Sequence, residues 1–423
     1  MKFRKNALLA AMAAAVAMGA ATVQGANLKV ACGSGPGFDH CKKIIDAWAK
    51  DNGHTVEPIS TPNDSSAQLS LYQQILAAKS TDIDIYNIDV VWPGIVGHHM
   101  VDLKPAAGEV INDHFPAIIE NNTVNGKLIA MPSITDAALL FYRKDLLEKY
   151  GESVPETWEQ LTAIAEKVQK GEREAGNNSF WGFVWQGRAY EGLTCDALEW
   201  VASHNGGTIV EPDGTISINN PNAVQALTTA RGWVDNVSPP GVLNYQEEEA
   251  RGVFQAGNAM FMRNWPYAWS LSQGDDSPVK GKVGTAPLPK GGEGGRHAAT
   301  LGGWQFSVSQ YSPNQEAAIQ LVLHLTGKEV QKDRAIVLSN LPTIVSLYDD
   351  PDILAANPFF AEMKPVLASA VARPSTVTGA KYNQVSSEFY NAVFAVLSGN
   401  KTAEQSLADL ERSLNRLSRG GKW

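Results

Sequence analysis

The chain has 423 residues and a formal net charge of -9 at pH 7, and 44% of its residues are hydrophobic. An acidic chain without basic clusters binds nucleic acid and anionic membrane surfaces poorly, so we predict no nucleic-acid partner. The chain is too long for a single hydrophobic core, and two domains are therefore expected.

The N-terminus has the parts of a secretory signal peptide. An alanine-rich apolar run spans residues 7–21, and it is preceded by the positive residues Lys2, Arg4 and Lys5. The run is shorter than the roughly 20 apolar residues of a membrane-spanning helix. We therefore predict a cleaved signal peptide over residues 1–25 and a mature chain in the periplasm.

Three cysteines allow at most one disulfide within the chain. Cys32 and Cys41 lie close together in the sequence, and in an oxidising compartment we expect them to be bonded. Cys195 has no catalytic signature around it, so we expect a buried free thiol. Cys32 follows the charged Lys29 and does not stand directly behind the apolar run, which disfavours a lipid anchor.

In the first half of the mature chain, the hydrophobic pattern predicts strands alternating with helices. A strand over residues 28–32 is followed by a helix beginning near Asp39. Ser65 and Gln68 have the spacing of a capping box for a second helix, and a strand then leads to Asp89.

In the second half, the helix starts are marked by their capping residues. Thr157 with Gln160 and Thr402 with Gln405 have capping-box spacing, and Pro313 is predicted at the first position of another helix. Alternation of strands and helices along the whole chain predicts an α/β fold.

Enzyme signatures are absent from the sequence. The turn Gly33-Ser-Gly-Pro-Gly37 lacks the next glycine of a dinucleotide loop, since Phe38 stands there, and the glycine-rich stretch 291–295 lacks a phosphate-loop lysine. No His/Cys spacing matches a zinc site, and His98 and His99 are adjacent. We therefore predict no catalytic residue, metal or cofactor. Because carboxylates are plentiful, a secreted glycoside hydrolase acting on α-glucosides remains the alternative.

Aromatic residues beside glycine and proline are the unusual feature of this sequence. They are Trp181, Trp185, Tyr190, Trp265, Tyr267, Trp269 and Trp304. Such residues lie on turns, where they either anchor loops in the core or form flat apolar faces. The C–H faces of a pyranose ring stack on aromatic rings while hydroxyls take polar partners at the edge, so the pattern favours sugar binding.

Several motifs, in order along nearly all the mature chain, carry a specific resemblance. They are Asp89-Val-Val-Trp-Pro-Gly94, residues 135–151, Pro155-Glu-Thr-Trp158, residues 180–187, residues 257–269, residues 281–289 and Leu301-Gly-Gly-Trp304. They resemble the extracellular solute-binding proteins of sugar ABC importers, and within them the trehalose/maltose-binding branch.

The resemblance implies a two-lobe periplasmic-binding-protein fold of type II, with a ligand cleft between α/β lobes joined by several crossovers. We place the first lobe at residues 27–136 and 290–345, and the second at residues 137–289 and 346–423. The implied function is capture of an α-linked disaccharide by a monomer that closes about its hinge and delivers the sugar to the importer's membrane subunits.

The resemblance also implies the polar ligand contacts. Asp89 and Asp136 would bind sugar hydroxyls, and Arg373 would donate a charge-assisted hydrogen bond to ring or hydroxyl oxygens. The backbone of Gly303 would approach the ligand closely.

The implied stacking faces are Trp265, Tyr267 and Trp304. Two positions depart from the relatives. Gly37 stands where family members can carry a glutamate, and Ile134 stands where archaeal relatives place a tyrosine. These departures bear on which sugar is preferred.

Overall fold

The computed structural model describes residues 25–292 and 294–423, so the predicted signal peptide lies outside the described residues except for Gly25. The strands are β1 (Asn27–Gly33), β2 (Thr55–Ser60), β3 (Ile85–Asp89), β4 (Thr123–Val124), β5 (Lys127–Leu128), β6 (Met131–Ala137), β7 (Leu139–Arg143), β8 (Trp181–Val184), β9 (Ala259–Asn264), β10 (Val283–Ala286) and β11 (Leu301–Val308).

Helices follow or separate most of these strands. They are α1 (Gly35–Asn52), α2 (Ser65–Ala77), α3 (Pro93–Val96), α4 (Lys104–Ala107), α5 (Pro116–Asn121), α6 (Lys144–Tyr150), α7 (Trp158–Glu174), α8 (Glu191–Ser203), α9 (Pro221–Trp233), α10 (Glu247–Gln255), α11 (Ala268–Ser272), α12 (Gln315–Leu325), α13 (Lys328–Leu338), α14 (Pro351–Ala356), α15 (Met363–Ala368), α16 (Ser375–Thr378), α17 (Tyr382–Leu397) and α18 (Ala403–Ser418). Short 3₁₀ turns lie at Gly97–His99, Gly108–Asp113, Pro240–Asn244, Val345–Asp349, Pro358–Glu362 and Gly379–Lys381.

Two sheets organise the chain. The first has the order β2-β1-β3-β11-β6 and the second has the order β10-β7-β9-β8. Only Ala138 separates β6 from β7, so the chain passes directly from the first sheet to the second. The segment between β10 and β11 returns it to the first sheet. This architecture confirms the predicted α/β fold of two sheet-centred halves.

The register of the first sheet gathers the predicted ligand residues at one place. Trp304 of β11 pairs with Asp89 at the end of β3, and Gly302 pairs with Asp136 of β6. Strand β11 lies between β3 and β6 and is antiparallel to both, so these four residues lie at the same end of the three strands. Residues more than 200 positions apart in the sequence thereby become neighbours.

Each half has its own apolar core. The second half is built around β9 and α8, whose residues are all buried, because α9 and α17 cover the outer faces of α8. In the first half, apolar residues of β1 and β3 pack against α1, α2 and α12. Within the described residues, no helix is long and apolar enough to cross a membrane.

Local signals predicted some helix starts and missed others. The caps at Thr157 and Thr402 are confirmed, since each side chain accepts a hydrogen bond from the third following backbone N–H. The helix placed near Asp39 begins earlier, at Gly35, because Pro36 fits a first helical turn. The predicted cap at Ser65 is wrong, because the carboxylate of Asp64 accepts from the backbone of Ala67.

The start of α12 and the state of the cysteines can also be compared with the sequence predictions. Helix α12 begins at Gln315, so Pro313 precedes the helix and does not occupy its first position. A disulfide joins Cys32 at the end of β1 to Cys41 on α1, and Cys195 is a buried free cysteine.

Candidate functional site

A cavity of about 340 Å³ is lined by residues from both halves of the chain. That volume lies in the range of about 300–1,000 Å³ typical of small-molecule sites. The first sheet and the loops beside it contribute Gly33, Gly37, Asn63, Asn87, Asp89, Ile134, Asp136, Gly302, Gly303 and Trp304, among others. The second half contributes Glu191, Cys195, Glu247, Glu248, Trp265 and Tyr267, and Arg373 also lies on the wall.

Asp136 lies in the cavity wall and has no hydrogen-bond partner among the described residues. Its side chain is only 7% exposed, and Oδ1 is buried without a hydrogen bond from any residue that the structure describes. Burial, and secondarily the neighbouring Asp89, raises the pKa of Asp136 to about 8, while Arg263 acts in the opposite direction. A buried carboxyl group without a hydrogen-bond partner is costly, and the raised pKa reflects that cost.

Arg373 is held between two carboxylates. Its Nη2 donates to Oδ1 of Asp89 at 3.0 Å, and its Nη1 donates to Oε1 of Glu191 at 2.7 Å. The remaining donor, Nε, is buried and has no partner among the described residues. The backbone N–H of Val91 also donates to Oδ1 of Asp89. Arg373 and Asp89 therefore bind each other directly, and Nε of Arg373 and Oδ2 of Asp89 have no hydrogen-bond partner among the described residues.

Glu191 is a site residue that the sequence did not single out. It is the first residue of α8, and its carboxylate accepts hydrogen bonds from Tyr382 and from Ser386 Oγ (2.6 Å) as well as from Arg373. Burial raises the pKa of Glu191, and the positive charge of Arg373 opposes that increase. Its main partner is 182 positions away in the sequence, so no local spacing could have indicated it.

The aromatic residues form two walls. Trp304 packs edge-to-face on the buried Trp92, with ring centroids 5.8 Å apart, and keeps part of its surface open to the cavity. Trp265 follows β9 and lies under the guanidinium of Arg263 at 4.2 Å. Tyr267 is fixed by its hydroxyl, which donates to Oε1 of Glu248 at 2.6 Å. The position of each ring is thus fixed by a protein partner: Trp92 for Trp304, Arg263 for Trp265 and Glu248 for Tyr267.

Two glycines of β11 make close contacts beside the cavity: Gly302 contacts Trp265, and Gly303 contacts β6. A Cβ on Gly302 would lie 2.9 Å from Cζ3 of Trp265, so only glycine leaves room for the ring against the strand. Gly303 has a φ of 141°, and an added Cβ would lie 2.4 Å from the carbonyl oxygen of Ile134. Gly303 lines the cavity, and the contact that demands a glycine there is with β6.

The structure brings all seven predicted ligand residues to this one cavity. They are Asp89, Asp136, Trp265, Tyr267, Gly303, Trp304 and Arg373. The two positions that depart from the relatives, Gly37 and Ile134, line it as well. In the described part of the chain, no group of three or more His, Cys, Asp or Glu residues is arranged to hold a metal ion.

Comparisons with known proteins agree with this architecture. Residues 41–332 match the family described as bacterial extracellular solute-binding protein. The chain is 53% identical over 400 residues to a Deinococcus radiodurans protein named probable ABC transporter-binding protein, with 94% of each chain covered.

Solved structures share the fold over almost the whole chain. Maltose-bound MalE3 of T. maritima superposes with a TM-score of 0.88 at 39% identity, covering 93% of this chain and 100% of that one. A solute-binding protein of Agrobacterium radiobacter K84 in complex with ribitol has a TM-score of 0.82 at 23% identity, covering 93% and 99%. Since the family match extends over more than half of its length, this chain belongs to the bacterial extracellular solute-binding proteins, which bind their solutes and do not transform them.

Proposed function

We propose that this protein captures an α-linked disaccharide, of the maltose or trehalose type, and delivers it to an ABC importer. The observation that carries the proposal is the unpartnered, buried carboxyl group of Asp136 in a cavity walled by Trp265 and Trp304. Aromatic faces suit the C–H faces of a pyranose, and a buried polar group suits its hydroxyls. Two relatives support the same proposal, since the Deinococcus radiodurans protein is named probable ABC transporter-binding protein and MalE3 of T. maritima is bound to maltose.

Each polar group at the site has a role that matches its free atoms. Asp136 accepts hydrogen bonds from sugar hydroxyls, and Asp89 accepts through the oxygen that Arg373 leaves unused. Arg373 donates through Nε to a hydroxyl or ring oxygen. Hydrogen bonds to charged groups contribute about 1.5–3 kcal/mol, which makes these contacts the main source of orientation.

Stacking supplies the remaining affinity, and closure brings the stacking faces together. Trp304 belongs to the first sheet, while Trp265 and Tyr267 follow a strand of the second sheet. A sugar between them touches both lobes and so favours the closed arrangement through its differential affinity for it. We keep the lobe boundaries at residues 27–136 with 290–345 and at residues 137–289 with 346–423 as part of this proposal.

The proposed setting is a periplasm, with the signal peptide cleaved and the mature monomer in solution. Delivery then requires docking on the importer's membrane subunits. Cell fractionation separates this setting from a lipid-anchored one: the mature protein should be released with the periplasmic contents, and retention with membranes would contradict it.

A calorimetric panel of disaccharides tests the proposed ligand. Maltose or trehalose should bind, and Asp136→Asn should weaken binding because the amide replaces one carboxyl oxygen, a hydrogen-bond acceptor, with an NH2 group that can only donate. The matched control is Asp213→Asn on an exposed turn distant in the fold, which should bind normally. Absence of binding by every α-linked disaccharide would refute the proposal, and release of glucose from either sugar would favour the hydrolase alternative.

A further inference from the structure

Negative charge dominates the polar part of the cavity wall. The buried carboxyl groups Asp89, Asp136 and Glu191 line the cavity together with the guanidinium of Arg373. Arg373 is shared by Asp89 and Glu191, at 3.0 and 2.7 Å, so none of its ion pairs is available to Asp136. The three carboxyl groups thus share one paired guanidinium, and Asp136 has no ion-pair partner among the described residues.

The positive charge of Arg263, behind the cavity wall, is also already paired. Arg263 is fully buried behind Trp265 and pairs with Glu199 at 2.5 Å and with Asp196 at 2.9 Å. It also donates to the side-chain oxygen of Gln186. Because two carboxylates already share its single charge, Arg263 leaves Asp136 without a compensating cation.

Further acidic groups strengthen the same field. Glu247 lines the cavity and accepts from Tyr190 (2.6 Å) and from Nε1 of Trp265 (3.4 Å), which are neutral donors. Burial raises the pKa of Glu247 as it does that of Glu191. A second guanidinium in the cavity wall, that of Arg334, opposes this field, but it donates to Ser133 and forms no ion pair within 4 Å with Asp136 or with any other described carboxylate.

We infer that this cavity binds a pyranoside that carries a protonated amine more tightly than the same sugar with only hydroxyls. The inference rests on the proposed function, since the amine replaces one hydroxyl of the same ligand. An ammonium group beside Asp136 supplies the missing positive charge, and a charge-assisted hydrogen bond is roughly twice as strong as a neutral one. The aromatic walls also favour a cation near their faces.

A series of trehalose analogues, each with one hydroxyl replaced by an amine, tests this inference at about pH 7. We expect at least one positional analogue to bind about tenfold or more tightly than trehalose. Calorimetry in two buffers of different ionisation enthalpy should also detect release of about one proton, because Asp136, whose pKa is about 8, must ionise against the ammonium.

Variants identify the responsible carboxylate. Asp136→Asn should abolish both the preference for the amine and the proton release, whereas Asp213→Asn, which removes an exposed carboxylate outside the cavity wall, should keep both. If no analogue binds more tightly than trehalose, or if binding releases no proton, the inference is wrong while the proposed function stands. If neither trehalose, maltose nor any analogue binds, the proposed function itself fails.

Discussion

Asp136→Asn should make the folded protein more stable without ligand, and only at higher pH. The folded-state pKa of Asp136 is raised from 3.8 to about 8, first by burial and then by the charge of Asp89. A carboxyl group with a raised folded pKa favours folding in its protonated form. The wild-type protein therefore loses stability as the pH rises from about 4 towards about 8, and an asparagine, which cannot ionise, does not.

The magnitude follows from the size of that pKa change. At about 1.4 kcal/mol per pKa unit, the full shift corresponds to about 5–6 kcal/mol at high pH. Under the proposed hinged closure the cleft is open without ligand and the Asp136 carboxylate is hydrated, which would relieve most of this cost, so we expect Asp136→Asn to gain about 1–3 kcal/mol at about pH 8.

Denaturant unfolding of the wild type and the variant at several pH values measures this difference. Below about pH 4 the two free energies of unfolding should be nearly equal, and the variant should become progressively more stable than the wild type as the pH rises towards about 8. The pKa values of Glu191 and Glu247 are also raised, but both groups are present in the wild type and in the variant. Their effects on the free energy of unfolding therefore cancel in the difference. A difference that does not change with pH would refute the reasoning.

Three further predictions address packing, covalent structure and closure. Trp304→Ala should weaken disaccharide binding by about 2 kcal/mol or more and have little effect on the melting temperature without ligand. The control Trp200→Ala, at a fully buried position, should lose about 3–5 kcal/mol of stability. Normal sugar affinity with a sharply lowered melting temperature for Trp304→Ala would place Trp304 in the core. Thiol titration of denatured, unreduced protein should find one reactive cysteine, Cys195, and three would contradict the Cys32–Cys41 bridge. Small-angle scattering should show a smaller radius of gyration with saturating sugar, and an unchanged radius would argue against hinged closure.

Local features of the fold were predictable because they depend on neighbours in the sequence. The caps at Thr157 and Thr402 follow from side chains that reach backbone groups three residues away. The cap at Asp64 was missed because Ser65 beside it has an equally suitable hydroxyl and the same local spacing. Propensity alone does not decide between adjacent capping residues.

The ion pairs of the cavity could not be predicted in the same way. Glu191 meets Arg373, and Asp89 meets the same guanidinium, only because α8, β3 and the segment after α15 converge there. Family resemblance named Asp89 and Arg373 as ligand contacts, but it did not indicate that they bind each other. Only the tertiary structure shows that Asp89 and Glu191 share the charge of Arg373 and that Asp136 is left without a partner.

A crystal structure with maltose or trehalose added tests the central claim most directly. The account predicts the disaccharide in the cavity, with pyranose rings stacked on Trp304 and Trp265 and a hydroxyl within about 3.2 Å of a carboxylate oxygen of Asp136. A sugar bound elsewhere on the protein, or bound in the cavity without contact to Asp136 and these two rings, would contradict it.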